Sequence, residues 1–312
     1  MSIKKKTAPR KRSTARKTTR TSTATGSVKR FLSTVSASAV IVFGIASYLL
    51  NPQLRDGVDL GTIIAQLDWP LLQQEQHAAP AAVATNGHIQ TVFSQCPQFF
   101  PANKPPIVPA GRALRELCFS SFAILHSGNT KTPVFVAQRL NRQMIASSKG
   151  VTRTDKFYAE ARLPQADRAQ LNDYRGSGYS RGHMAPAGDM HSADAMAQSF
   201  SLANMVPQNQ RHNAGAWSKI ESDTRKYAER ATGDVYIFTG PFYNSTPDTI
   251  GEGRVAIPSH LYKVVYDAST GRSWVHWHIH SPDTKAGAPI SYEEFVRRTG
   301  LHLLPLSSTS RL

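Results

Sequence analysis

The chain reads as an α+β protein, and three observations lead there. Val235-Tyr-Ile-Phe-Thr239 is a short apolar run of the kind buried in a sheet, ending at Gly240-Pro241, and Tyr262-Lys-Val-Val-Tyr266 and residues 274–280 supply two further extended stretches. Over residues 213–231 proline is absent and Trp217, Ile220, Thr224 and Tyr227 recur at helical spacing, with a stop at Gly233. These elements do not alternate as strand and crossover helix, and no internal repeat or dinucleotide-binding loop is present, which sets aside a doubly wound sheet.

Taken in order, residues 1–30 hold eleven Lys or Arg and no Asp or Glu. The formal net charge of +16 belongs mostly to this tail, because the remainder carries 26 basic against 21 acidic residues. A mildly basic body suits a phosphate-rich partner without establishing one. The stretch 31–50, opening on Phe31 and closing on Leu50, has no charge and is long enough to cross a bilayer, although Ser33, Thr34, Ser36, Ser38 and Ser47 dilute its apolarity. A signal peptide with a long basic leading region is the alternative, but no small-x-small cleavage pattern follows Leu50, which favours an uncleaved transmembrane anchor. The basic side would then be cytoplasmic, and the rest would lie in the periplasm or outside a bacterial inner membrane. A tether to the mitochondrial inner membrane is the alternative. Residues 51–90, Ala-rich and Pro-containing, read as a linker, and 91–305 as one domain with its own core.

Cys96 and Cys118 are the only cysteines. An exported chain would pair them, closing a loop worth about 3 kcal/mol. An intracellular one would keep two thiols, and neither is suggestive of catalysis, since no histidine partner is near in sequence. His276, His278 and His280 alternate with Val275, Trp277 and Ile279, which predicts a strand with a polar histidine face and an apolar packed face. Spaced about 7 Å apart along one strand, the three imidazoles are too far apart to share one ion. Ser291-Tyr-Glu-Glu294 has the form of a capping box opening a short helix that ends near Gly300.

The chemistry concentrates between Tyr179 and Glu221. Hydrolysis of a phosphodiester needs an activated water, positive charge on the non-bridging and leaving oxygens, and groups that hold the phosphate in line. His183 can accept a proton at physiological pH. Gly182 beside it allows close approach of a bulky anionic substrate. Asn213 offers a hard oxygen, and a small dication such as Mg2+ takes only one or two protein oxygens while keeping several waters, which Glu221 could bind. Asn213, Trp217, Glu221 and Arg225 step by four along the helix, so Asn213, Glu221 and Arg225 can address one cleft.

Three segments carry a family resemblance: Asn172-Asp-Tyr-Arg-Gly-Ser-Gly178, Ser180-Arg-Gly-His-Met-Ala-Pro-Ala-Gly188 and Asn204-Met-Val-Pro-Gln208, followed by Asn213 and Glu221. Over residues 132–280 the chain resembles the DNA/RNA non-specific endonuclease family, the endonuclease G group. That resemblance implies a ββα-metal nuclease fold with a central antiparallel β-sheet flanked by helices, and a sequence-non-specific endonuclease of DNA and RNA. It implies Mg2+ as cofactor, with Mn2+ as a substitute, and raises a homodimer. It also implies His183 as general base, Asn213 as direct metal ligand and Glu221 as the group ordering metal-bound water. Arg225 and Arg181 would hold the phosphate or the site, Asn204 would support it, and Arg153 would match an upstream phosphate-binding arginine. Where the family carries Asp-Arg-Gly-His this chain carries Ser180-Arg181-Gly182-His183, as in the exonuclease-like branch, so end preference stays open. A nucleic-acid-binding module that has lost catalysis is the other alternative.

Each residue has a blander reading taken singly. His183 would be a surface or capping histidine, Asn213 a helix N-cap, Glu221 with Arg225 an exposed i,i+4 pair, Trp217 core, and Asn204 a loop residue satisfying backbone groups. Their joint spacing favours the site.

Overall fold

The computed structural model describes residues 83–85 and 87–305. The basic tail, the span read over 31–50 and most of the linker lie outside the described residues. Among the described residues no helix is long and apolar enough to cross a membrane.

Three short strands, β1 (Val83–Thr85), β2 (His88–Gln90) and β3 (Ile107–Pro109), form an antiparallel sheet of their own. Folded structure therefore reaches back into the stretch read as linker. Next come β4 (Leu114–Cys118), β5 (Phe122–Ser127) and β6 (Thr132–Leu140), then the helices α1 (Arg142–Ser148) and α2 (Leu171–Tyr174). The paired strands β7 (Ser180–His183) and β8 (Met205–Gln208) flank helix α3 (Ala193–Ser199). A helical stretch follows, made of α4 (Gln210–His212), a π-helical turn (Asn213–Trp217) and α5 (Ser218–Arg230). The chain then forms β9 (Val235–Phe242), the small β10 (Thr249–Ile250) and β11 (Val255–Ala256), β12 (His260–Asp267), β13 (Arg272–Ile279) and α6 (Tyr292–Thr299).

Six of the strands make one antiparallel sheet in the order β13-β12-β9-β6-β5-β4. Alternation along each strand gives it two packed faces. Phe135, Phe238 and Tyr262 join Phe93, Phe100 and Phe295 in one core, while their neighbours Val136 and Leu261 join Met184, Phe200 and Trp217 in the other. The first face is closed by α6, whose start is capped by Ser291 Oγ accepting from Glu294 N and whose end is the left-handed Gly300. The second face carries β7, β8 and the long helix. Cys96 and Cys118 are joined by a disulfide that ties the turn at Pro97–Phe99 to the end of β4.

Two readings of the sheet need correction. β9 does not end at Gly240-Pro241 but runs through both, because its pairing with β6 stops at Val136 opposite Thr239 and the proline sits where that edge needs no donor. Gly240 is required there, since a Cβ would lie 2.5 Å from the Tyr262 hydroxyl. On β13 the histidine face is not a polar wall: His278 is only 4% exposed whereas Ile279 is 59% exposed. The helix that follows β8 packs over this face, bringing Trp217 and His212 within 6.1 and 5.7 Å of the His278 ring.

Candidate active site

β7 pairs with β8 in the register Ser180–Gln208, Arg181–Pro207, Gly182–Val206 and His183–Met205. The close partner of Gly182 is not substrate but Gln208: a Cβ on residue 182 would stand 2.0 Å from its Oε1. Beyond the strand, Asn204 locks the turn that follows His183. Its Oδ1 accepts from Ala185 N at 2.8 Å, and its Nδ2 donates to the carbonyls of Ala185 and Ser199, both at 2.9 Å. Fully buried, Asn204 shapes the site from behind and does not line it.

The helix starts three residues earlier than its periodicity predicts. Asn209, not Asn213, is the N-cap, its Oδ1 accepting from the backbone N–H groups of Arg211 and His212. Asn213 opens the π-helical turn that ends at Trp217, and such turns concentrate at functional sites. Trp217 points into the core with no exposed surface. Asn213, Glu221 and Arg225 line one cleft of ≈ 310 Å³, whose other wall includes Arg153 and His183.

Electrostatics differ sharply across the cleft. His183 sits against Phe157 and Phe200, with ring centroids 5.8 and 5.1 Å away, and its Nε2 is shielded and has no protein partner. Burial, aided by the nearby Arg153 charge, pushes the imidazole down to about 3, so it is neutral at physiological pH. Arg153 lies over the Phe200 ring at 5.0 Å and pairs with Asp155 at 2.7 Å. Glu221 is pushed the other way, up to about 7, first by burial and further by Asp189, while Lys263 and Arg225 oppose the rise. The indole N–H of Trp217 pulls Glu221 down as well, without reaching hydrogen-bond geometry. Arg225 Nε donates to Asp189 Oδ1 at 2.7 Å, and Gly188 leaves room for the guanidinium, which a Cβ there would meet at 2.8 Å.

The donor set fits a hard, largely hydrated dication. Among the described residues no three His, Cys, Asp or Glu side chains converge as a closed cage would require. One amide oxygen from Asn213 and one carboxylate from Glu221 on the same cleft form the sparse oxygen set that suits such an ion.

Arg181 is the singled-out residue that turns away. Its guanidinium stacks over the Phe157 ring at 4.2 Å and is absent from the cleft lining, so it braces the aromatic wall behind His183. Asp189, Gly188 and Lys263 escaped the sequence reading as site residues. Asp189 stands six residues after His183 with no periodicity to mark it. Lys263 had one legible signal, a lone charge within an otherwise apolar strand. The Asn172–Gly178 segment also acquires a reason: the Asp173 carboxylate accepts from Gly253 N at 2.7 Å and from Gln170 N at 2.8 Å, and so anchors the β10–β11 turn.

Comparison with known proteins bears on the fold and the family. A family model described as DNA/RNA non-specific endonuclease matches residues 105–300. The mitochondrial nuclease EXOG of Xenopus laevis is 37% identical over 158 residues, which cover 47% of this chain and 44% of that protein. The mitochondrial endonuclease G of Homo sapiens is 28% identical over 203 residues, covering 61% and 65% of the two chains. The match thus spans less than half the length of the EXOG relative. A chain from the crystal structure of the EndoG/EndoGI complex superposes with a TM-score of 0.56 at 26% identity, over 70% of this chain and 92% of its own. The matched length shows that the chain belongs to the DNA/RNA non-specific endonuclease family.

Proposed function

We propose that this protein is a divalent-metal-dependent nuclease that hydrolyses phosphodiester bonds of DNA and RNA without sequence preference. The observation that carries the reading is the convergence of Arg153, His183, Asn213, Glu221 and Arg225 on one cleft. His183, held neutral by burial, has a lone pair free to take a proton from water as the water attacks phosphorus. An arriving phosphodiester brings negative charge beside the ring and raises its proton affinity from the depressed value of the free protein. Arg153 and Arg225 present fixed guanidinium groups to the non-bridging oxygens. Asn213 would hold Mg2+ or Mn2+, and Glu221 would accept hydrogen bonds from the ion's waters. When bound, the ion supplies positive charge against the pentavalent phosphate and the leaving 3′-oxygen. Asn204 and Arg181 act from behind the site, on the turn and the aromatic wall that hold His183.

Closed-circular plasmid, the full chain, and Mg2+ or EDTA test this, beside His183→Ala and Asn213→Ala. Nicking should appear with Mg2+ only and fall by about 10²- to 10⁴-fold in His183→Ala. Plasmid left intact by the full chain with Mg2+, and linear DNA untouched, would sink the reading. Trimming of linear DNA with circles left intact would establish the second reading, an exonuclease. That reading is favoured by the higher identity to nuclease EXOG, 37% against 28% for endonuclease G. The relatives named as mitochondrial nucleases support a mitochondrial setting over the bacterial inner membrane. Carbonate-resistant membrane association that survives deletion of 31–50 would refute the anchor, and a monomer in sedimentation velocity would refute the homodimer.

A further inference from the structure

Beneath the cleft the described residues hold four charged groups, of which two are matched at contact distance. Arg225 and Asp189 form the ion pair at 2.7 Å. Glu221, from the helix, and Lys263, from β12, have no contact ion pair among the described residues. Lys263 is 1% exposed, too deep to touch a substrate. It stands in register between Thr239 of β9 and His276 of β13, and its ammonium donates to Thr239 Oγ1 at 2.7 Å. The same nitrogen lies 5.6 Å from the centre of the Trp217 ring, and Trp217 is one turn before Glu221 on the helix. Lys263 therefore meets this helix from the sheet side, at a residue one turn from Glu221.

A buried ammonium with one neutral hydroxyl as its hydrogen-bond partner is costly unless an opposite charge lies near. Among the charges acting on Lys263, Glu221 is the strongest of those that favour the ammonium form, ahead of Asp189, and the interaction is reciprocal at Glu221. Asp189 is already engaged by Arg225, which leaves Glu221 as the free counter-charge.

We propose that Lys263 is a positioning residue for Glu221: a cation built into the central sheet, against Trp217 one helical turn away, whose counter-ion is the Glu221 carboxylate, which it holds at the cleft floor. The consequence for the metal rests on the nuclease reading above; the charge pairing itself does not. Removing the cation leaves the buried carboxyl without its counter-charge, so that it takes up a proton or turns toward solvent and offers less to the ion's waters.

The test is a double-mutant cycle in the full chain, with Lys263→Met, Glu221→Gln and both together, followed by thermal unfolding in EDTA and by Mn2+ binding from electron paramagnetic resonance. Lys263→Met should lower Tm, and the Tm change of the double variant should be more favourable than the sum of the two single changes by more than about 3 °C. Lys263→Met should weaken Mn2+ binding about tenfold, as loss of support behind a ligand does. Thr239→Val, which keeps shape and charge but removes the ammonium's acceptor, should weaken it in the same direction. Additive Tm losses, with Mn2+ affinity unchanged in both Lys263→Met and Thr239→Val, would overturn the proposal. If Lys263→Met does not fold, Thr239→Val decides, and unchanged affinity there counts against it. If the parent chain binds no Mn2+, the metal-dependent reading fails, while the unfolding cycle still decides the Lys263–Glu221 pairing.

Discussion

Gly182 and Gln208 hold the two short strands of the site together through the absence of one side chain. A methyl group on residue 182 would overlap Gln208 Oε1 at 2.0 Å and its Cβ at 2.6 Å. Both strands are buried at that point, so neither can yield freely. Gly182→Ala should therefore destabilise the fold by about 1–3 kcal/mol, the usual cost of overpacking, as read by thermal unfolding. Its effect on nicking should exceed that of the lost stability, because His183 is the next residue. An unchanged Tm would mean that Gln208 moves aside at no cost. Arg181 offers the contrasting case. Its place over Phe157 makes it a brace for the aromatic wall, and Arg181→Lys, which keeps charge but loses the planar stack, should reduce turnover more than substrate affinity.

At the scale of elements the helix through Asn213 departs most from its pattern. Steps of four place Asn213, Trp217, Glu221 and Arg225 in a slowly drifting row, yet Trp217 is in the core while the other three face the cleft. The π-helical turn at Asn213–Trp217 lies between these orientations and widens one turn of the helix. Deleting Gly215, which no other group crowds, should restore α-helical winding and rotate everything before it by about 100° relative to α5. Far-UV circular dichroism should stay the same while Mn2+ binding and nicking disappear. Retained binding would show that the turn does not aim Asn213. β13 teaches the complementary lesson, since alternation located the strand correctly but not the element that covers its histidine face.

For the molecule as a whole, two features set the conditions under which it stays folded. The Cys96–Cys118 bond closes a loop of sequence separation 22, and Cys96→Ala with Cys118→Ala should cost about 3 kcal/mol in thermal or denaturant unfolding. No loss would mean that the bond constrains little of the unfolded chain. Part of the acid sensitivity follows from His126, which is fully buried in β5 with Nε2 at 2.9 Å from the Asp167 carbonyl oxygen. Burial holds this imidazole down to about 4, against an ordinary 6.5. Below pH 6.5 the unfolded chain binds a proton that the fold refuses. The contribution is thus fully present above pH 6.5 and is lost as pH falls toward 4, in total on the order of 3 kcal/mol. Tm should drop steeply across that window in the parent chain and less steeply in His126→Gln; parallel curves would remove His126 from the account.

The sequence by itself determined the α+β class, the three long strands near the C-terminal end and the helix through Glu221. Each of these is written in local periodicity, in turn chemistry or in residue types whose chemistry is rare. Tertiary structure alone decided that Gly182 serves Gln208, that Arg225 leans on Asp189 and that a lysine lies under Trp217. Those facts join residues from 26 to 46 positions apart, or depend on which helix crosses which sheet face. Periodicity records how a segment divides its polar and apolar sides. It carries no record of the segment that comes to lie against either side, and burial, charge pairing and the displacement of His183 and Glu221 from their ordinary ionisation all arise from that second segment.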